Sequence, residues 1–209
     1  MDIIINPTNR CNFACEFCSA KTLPSGDLTS KQTIDILRQY KNNLNAVIVN
    51  GGDPLMMDPS YYFDILEFME ETNDHCFLSF TTNLLGFYLD PDKWIDLFKH
   101  KRVGIVTSFQ YGDKRRYKLK EGKTKVFDEA FFVHIMKLFL NKIGYTPDFI
   151  SVIDKDNEQY MEKTLLLAKR LNTVAKLNRA TMSGLQKEYY PYYRMIQKVI
   201  EIIDKGYGK

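Results

Sequence analysis

Long apolar runs are missing from this chain. None reaches the roughly 20 residues that a membrane-spanning helix needs, so no membrane association is expected. A dominant sign of charge is missing too: 29 Lys and Arg face 26 Asp and Glu, for a net +3. So small a bias argues against nucleic acid as a partner, and any charged partner has to come from a local cluster. Met1–Asn6 is too short and too acidic for an export signal, which makes the cytoplasm the expected compartment. Cysteine is scarce, with four in 209 residues, and a reducing compartment keeps such thiols free of disulfides. No repeat, low-complexity tract or linker divides the chain, so residues 1–209 are expected to form a single domain around one core.

Short apolar runs alternate with longer amphipathic ones, the pattern of repeated βα units around a parallel sheet. Strands are predicted at Asp2–Asn6, Ala46–Asn50, Phe77–Thr82, Val103–Ser108, Asp148–Ile153 and Ala175–Asn178, all rich in Val, Ile or Phe. A first helix is predicted over Ser30–Asn42, capped by Thr29 or Ser30, with Ile34, Ile36 and Leu37 inward. A second covers Ser60–Glu71, with Tyr62, Ile65, Leu66 and Met69 at helical spacing. A third follows Asp90-Pro91 and carries Trp94, Leu97 and Phe98. A fourth spans Asp128–Lys142, and a fifth starts near Asn157 with Met161, Leu165, Leu166 and Ala168 inward. The last runs from Tyr190 to Lys205 and stops at Gly206. Six such units with right-handed crossovers give an α/β fold, a partial (β/α)6 barrel of the TIM type. Working groups then belong just past the carboxyl ends of the strands.

Three of the four cysteines fall there, after the first strand, as Cys11-Asn-Phe-Ala-Cys15-Glu-Phe-Cys18. A short loop with three thiolates can take three corners of an iron–sulfur cubane and leave the fourth iron open for chemistry. The same spacing also suits a zinc knuckle, which would need a fourth ligand such as Cys76 with its neighbour His75. Cys76 opens the third strand, however, and is expected at the opposite end of the sheet as an ordinary buried thiol. The second strand ends in Asn50-Gly51-Gly52-Asp53-Pro54, where two glycines permit a close approach to the backbone. The third ends in Thr81-Thr82-Asn83 and the fourth in Thr107-Ser108-Phe109-Gln110.

Taken together, CxxxCxxC with Phe17 before its third cysteine, and Gly-Gly-Asp-Pro one strand later, resemble the radical S-adenosylmethionine (SAM) superfamily. The resemblance implies a 4Fe–4S cluster on Cys11, Cys15 and Cys18, with SAM chelating its open iron and the loop around Phe17 against adenine. It places Gly51, Gly52, Asp53 and Pro54 at the amino group of SAM; Asp53 replaces the family's commoner glutamate and reaches less far. Asn83 is placed beside the ribose, and Ser108 at the carboxylate or ribose. Lys176-Leu-Asn178-Arg179, followed by Ser183-Gly184, is similar to the sixth strand of peptide-modifying members, and Asn178 and Arg179 are read as reaching a carboxylate.

The stretch Asp113–Lys125 carries seven Lys or Arg residues. It reads as a solvated loop, or, at the barrel mouth, as a contact for an acidic substrate through Arg115, Arg116 and Lys118. His134 and His100 have ordinary packing and helix-end readings, and packing also accounts for Tyr189, Tyr190, Tyr192 and Tyr193.

The implied activity is reductive cleavage of SAM to a 5′-deoxyadenosyl radical that takes hydrogen from a substrate. An electron donor of the flavodoxin or ferredoxin kind is the implied partner. A peptide or protein substrate is the leading expectation, with a small metabolite or nucleotide, or a glycyl-radical partner, as alternatives. A non-catalytic metal-binding or redox-sensing module is the alternative from another class. Many peptide-modifying relatives continue into an auxiliary-cluster domain; no cysteine follows Cys76 here, so a single cluster is expected, either in a compact single-cluster enzyme or in a chain that stops before a further C-terminal auxiliary domain.

Overall fold

The structure is a computed structural model that describes residues 1–207 apart from Leu23, Ser25, Asn73, Asp74, Lys120, Glu121, Ser183 and Gly184. The Ser183-Gly184 turn and Lys120 of the basic stretch therefore lie outside the described residues. Six parallel strands form one sheet in chain order: β1 (Asp2–Ile5), β2 (Ala46–Val49), β3 (Phe77–Thr81), β4 (Val103–Ser108), β7 (Asp148–Ile153) and β8 (Ala175–Arg179). Between β4 and β7 the chain inserts an antiparallel hairpin, β5 (Arg116–Lys118) and β6 (Thr124–Val126). The helices are α1 (Ser30–Arg38), α2 (Pro59–Thr72), α3 (Leu85–Leu89), α4 (Ile95–Phe98), α5 (Glu129–Ile143), α6 (Met161–Arg170) and α7 (Tyr192–Ile202). The sheet curls into a half-barrel, the predicted architecture.

Strand register explains why both faces read as apolar. Ile5, Val49 and Phe80 share one face, which the helices bury to 5% exposure or less. Ile4, Ile48 and Ser79 share the other, where Ile4 keeps 62% of its surface open. A closed barrel would fill that concave face with its own side chains; the half-barrel leaves it open near its carboxyl rim. The main core lies beneath the helix-facing side, built on Tyr62, Phe80, Phe87, Trp94, Phe98, Phe132, Phe139 and Phe149. Phe109 and Phe132 stack with centroids 4.5 Å apart, tying the end of β4 to α5.

Predicted strands agree with the observed ones to within one residue at each end, and the helices less closely. Thr29 closes a capping box with Gln32, as its position suggested, but α1 ends at Arg38 and a short 3-10 turn at Lys41–Asn43 follows. Ile36 and Leu166, assigned inward, are 42% and 41% exposed, because their neighbours Leu37 and Leu167 take the buried positions. The helix expected after Pro91 is instead two short ones. Leu84 adopts φ +60° and starts α3, Asp90 ends it ahead of the proline, and a turn at Pro91–Trp94 leads into α4. Of the four tyrosines assigned to packing, Tyr190 is buried while Tyr189, Tyr192 and Tyr193 are exposed.

Candidate functional site

Past β1 the chain is braced from three sides before it reaches the cysteines. Thr8 Oγ1 donates to Asp27 at 2.5 Å, and the Arg10 guanidinium reaches the other oxygen of Asp27 at 2.7 Å. From β2, Gly52 N–H donates to Thr8 O and Asp53 N–H to Arg10 O, both at 2.8 Å. The glycines are needed for this contact. A Cβ on Gly52 would stand 2.1 Å from Arg10 O, and one on Gly51, at φ +114°, would stand 2.5 Å from Thr8 O. The pair thus seats the cysteine loop against the second strand, where the sequence pointed to positive φ angles and the approach of a ligand.

The hairpin supplies the third brace. Ala14 and Glu16 donate backbone N–H groups to Arg116 O and Lys114 O, and Lys118 N–H donates to Asn12 O. Phe13 and Tyr117 form an antiparallel bridge, so residues 12–16 run alongside β5 as a third strand. The expected solvated loop is therefore structured, and the 20-residue gap between β4 and α5 was its signal, since ordinary βα connections are far shorter. Arg116 spends its guanidinium on Thr124, and Lys118 Nζ donates to Cys11 O at 2.8 Å.

Cys11, Cys15 and Cys18 are free thiols that border one cavity of about 390 Å³ with Phe17, Gly51, Gly52, Asp53, Asn83, Ser108 and Arg115. Burial, reinforced by the charge of Asp53, pushes the Cys11 thiol up to about 12. Burial also raises Cys15, against the opposing pull of Arg115. Thiols held this way stay protonated until a soft metal displaces the proton. Among the described residues no three Cys, His, Asp or Glu side chains converge on a single metal ion. Three thiols spread along a cavity wall suit a cubane, in which each iron takes its own thiolate, and the donor set is all sulfur. Cys76 is buried at the start of β3, at the amino end of the sheet.

Behind the cysteines sits a closed polar network. Asp53, 1% exposed, accepts from Leu55 N–H at 2.9 Å, Asn83 N–H at 2.8 Å and Thr82 Oγ1 at 3.0 Å. Its carboxylate is thus occupied by the protein and welds the end of β2 to the end of β3. Asn83 turns its amide toward the loop, donating to Asn12 Oδ1 at 2.7 Å and to Cys11 Sγ at 3.7 Å. Pro54 lies behind the cavity wall, opening a short turn whose carbonyl accepts from Tyr62 OH.

Opposite stands Arg115, 5% exposed. Its guanidinium lies 4.8 Å from the centroid of Phe13 and 5.5 Å from that of Phe127, and it donates to Ser108 Oγ at 2.6 Å. No carboxylate pairs with it among the described residues, and its Nε keeps no partner. Asn50, also on the cavity wall, keeps a buried Oδ1 without a donor. The sequence reading missed Asn50 and Phe13. Asn50 had a signal, since it stands where a strand ends beside two glycines. Asn178 and Arg179 do not border this cavity: Arg179 donates to Tyr190 O at 3.2 Å and lies 5.7 Å from the Tyr189 ring. None of the described helices is long and apolar enough to cross a membrane.

Known proteins match this chain over most of its length. An uncharacterized protein of Methanocaldococcus jannaschii is 25% identical over 167 residues, covering 77% of this chain and 56% of the relative. Streptococcus suis SuiB bound to its precursor peptide SuiA superposes with a TM-score of 0.69 at 22% identity, over 98% of this chain and 46% of SuiB. The anSMEcpe enzyme with bound AdoMet and a Kp18Cys peptide superposes at 0.74 and 15% identity, over 97% of this chain and 59% of that one. The chain therefore spans about half the length of these relatives, and the structural likenesses establish the fold. Sequence supplies the rest, because the family model of the radical SAM superfamily matches residues 5–168. This chain belongs to that superfamily, whose enzymes work with a 4Fe–4S cluster and S-adenosylmethionine.

Proposed function

We propose that the protein holds a 4Fe–4S cluster on Cys11, Cys15 and Cys18, cleaves SAM reductively, and abstracts hydrogen from a peptide or protein. One observation carries the reading. The cavity beside the thiols is bordered by Arg115, which has no carboxylate partner among the described residues and keeps a buried Nε without an acceptor, and by Asn50, whose buried Oδ1 has no donor. The α-amino-acid end of SAM brings the complementary carboxylate and ammonium, and buried polar atoms left unpaired are costly unless a ligand completes them. When bound, the reduced cluster supplies the electron that breaks a carbon–sulfur bond of SAM, giving methionine and a 5′-deoxyadenosyl radical. Arg115, held flat by Phe13 and Phe127 and steadied by Ser108, orients the carboxylate. Asn50 receives the ammonium, while Phe17 and the apolar Ile4 and Ile150 shape the wall and exclude water.

A peptide substrate is supported by SuiB and anSMEcpe, both of which carry peptides in their solved complexes, and by a concave face open beyond the cavity. Anaerobic reconstitution should load about four irons per chain and release 5′-deoxyadenosine from SAM on reduction. Arg115→Met should weaken SAM binding at least about tenfold, the scale of a charged hydrogen bond. With a digest of deuterated peptides, label should appear in 5′-deoxyadenosine. Transfer from deuterated nucleosides alone would replace the peptide reading with a nucleotide one.

A further inference from the structure

The hairpin that braces the cysteine loop carries more positive charge than bracing requires. From Lys114 to Lys125 the sequence has seven Lys or Arg residues against one acid, Glu121. At least four of the seven have work inside the fold: Lys114 pairs with Asp154 and Asp156, Arg115 faces the cavity, Arg116 donates to Thr124 and Lys118 donates to Cys11 O. Lys118, Lys123 and Lys125 are exposed, and Arg116 is half-buried. None of these four borders the cavity, and neither Arg116, Lys118 nor Lys125 has a carboxylate partner among the described residues. The charge of Lys118 and Lys125 is displayed to the outside.

Alongside that display runs the cysteine loop. Phe13 bridges Tyr117, and Tyr117 in turn pairs with Lys125 on β6. Adjacent strands are about 4.8 Å apart, so the β6 backbone itself stands about 10 Å from the loop backbone. Cys11 is tied still more closely, through its carbonyl, to Lys118 Nζ.

We propose that the outer face of the β5–β6 hairpin is the docking surface for an acidic one-electron donor protein, a flavodoxin or ferredoxin. The proposal rests on the cluster reading above. In the transfer, the donor's reduced flavin or iron–sulfur centre loses one electron and the cysteine-held cluster gains it; no atom is exchanged. Complementary charge steers such an encounter and raises association rates by about 10- to 1,000-fold at low salt. An acidic substrate is the competing occupant, but a substrate must reach the SAM side, and the exposed lysines lie outside that cavity. The sequence reading assigned Arg116 and Lys118 to substrate; the geometry points to the electron donor instead.

The test uses the full chain, reconstituted anaerobically, with an acidic flavodoxin in its hydroquinone form as the probe. Loss of cluster absorbance is followed by stopped flow at low ionic strength. Lys123→Glu combined with Lys125→Glu should slow reduction tenfold or more. Lys99→Glu combined with Lys101→Glu, an equal charge change at the amino end of the sheet, should alter it less than twofold. The gap should close near 0.5 M salt, where charges are screened beyond a few Å. Dithionite, which needs no docking, should reduce all three proteins alike, showing that the cluster and fold are intact. Equal flavodoxin rates for the wild type and the hairpin variant would overturn the proposal. So would a hairpin variant that keeps its flavodoxin rate but loses affinity for an acidic peptide, which would return the surface to substrate. A wild type that takes up no iron would bring down the cluster reading and this surface with it, whereas iron uptake with equal rates would remove the surface alone.

Discussion

The carboxyl rim of the sheet and the last βα unit are built on opposite plans. At the rim, backbone meets backbone across three segments with no side chain between them, and Asp53 gathers donors from Leu55, Thr82 and Asn83. The last unit has an edge strand, β8, paired on one side with β7, and a small core of Ile153, Met161, Tyr190, Met195 and Ile202. Its helix α7 displays Tyr192, Tyr193, Ile196 and Ile200 at 40–66% exposure. A site that positions a reactive cofactor gains from rigid support, whereas regions with few buried contacts open first. The family model follows the same division, ending at residue 168 before β8 begins.

The largest effect should come from the rim thiols. Cys15→Ala removes the most buried of the three and should cost most of the bound iron and at least about a hundredfold in SAM cleavage, since one corner of the cubane loses its ligand. Cys76→Ala, an equally small change to a buried thiol at the other end of the sheet, should leave iron and cleavage intact. Colorimetric iron assay and 5′-deoxyadenosine release compare the two; a Cys15→Ala protein with full iron would undo the site assignment.

Next in size is the glycine seat. Gly52→Ala drives a methyl group into Arg10 O and should destabilise the fold by about 3 kcal/mol. Gly104→Ala, on β4, meets nothing within 4 Å and should stay within about 0.5 kcal/mol of wild type in denaturant unfolding. Equal costs would show that the rim is no stiffer than the rest of the sheet.

Most of the fold was legible because strands buried on one face and lining a barrel on the other produce short apolar runs, and βα alternation fixes their order. The three cysteines and Gly51-Gly52 were legible because each fell just past a strand. Arg115 was named, but as a contact for an acidic substrate at the barrel mouth. Its burial depends on Phe13 and Phe127, which approach it only after the hairpin pairs with the cysteine loop, and no local pattern encodes that pairing. Asn178 and Arg179 were drawn to the site by the resemblance of their strand to the sixth strand of peptide-modifying members. Register pairs Arg179 with Ile153, on the helix-facing side, where it reaches Tyr190. The split of the third helix was hidden for another reason: Pro91 fits a helix's first turn as well as the break it makes here.

Smaller effects belong to the latch that holds the last helix. Glu158 accepts from Tyr190 OH at 2.9 Å and from Arg194. Burial pulls its carboxyl upward, but the bonds from Arg194 and Tyr190 outweigh that and hold it below its ordinary 4.5. A carboxyl depressed in the folded state lends stability that is complete above its unfolded value and is lost as pH falls through the folded one. Hydrogen exchange in α7 should therefore accelerate below about pH 4.5 before that of β1–β4 does. Tyr190→Phe should cost about 1.5 kcal/mol and reproduce the loosening at neutral pH, with the rim unaffected.

The smallest effect should be on the outer face of α7. Ile200 is 51% exposed, so Ile200→Ser removes little buried area and should shift stability by no more than about 0.5 kcal/mol. Met195, on the inward face of the same helix, is 8% exposed, and Met195→Ala should cost about 2 kcal/mol or more by opening a cavity in a core that counts five buried residues among those described. Thermal unfolding of the pair separates anchoring from display. If Ile200→Ser proved as costly as Met195→Ala, α7 would have to be packed on both faces, and the contrast between a braced rim and a lightly held last unit would fail where it is drawn most sharply.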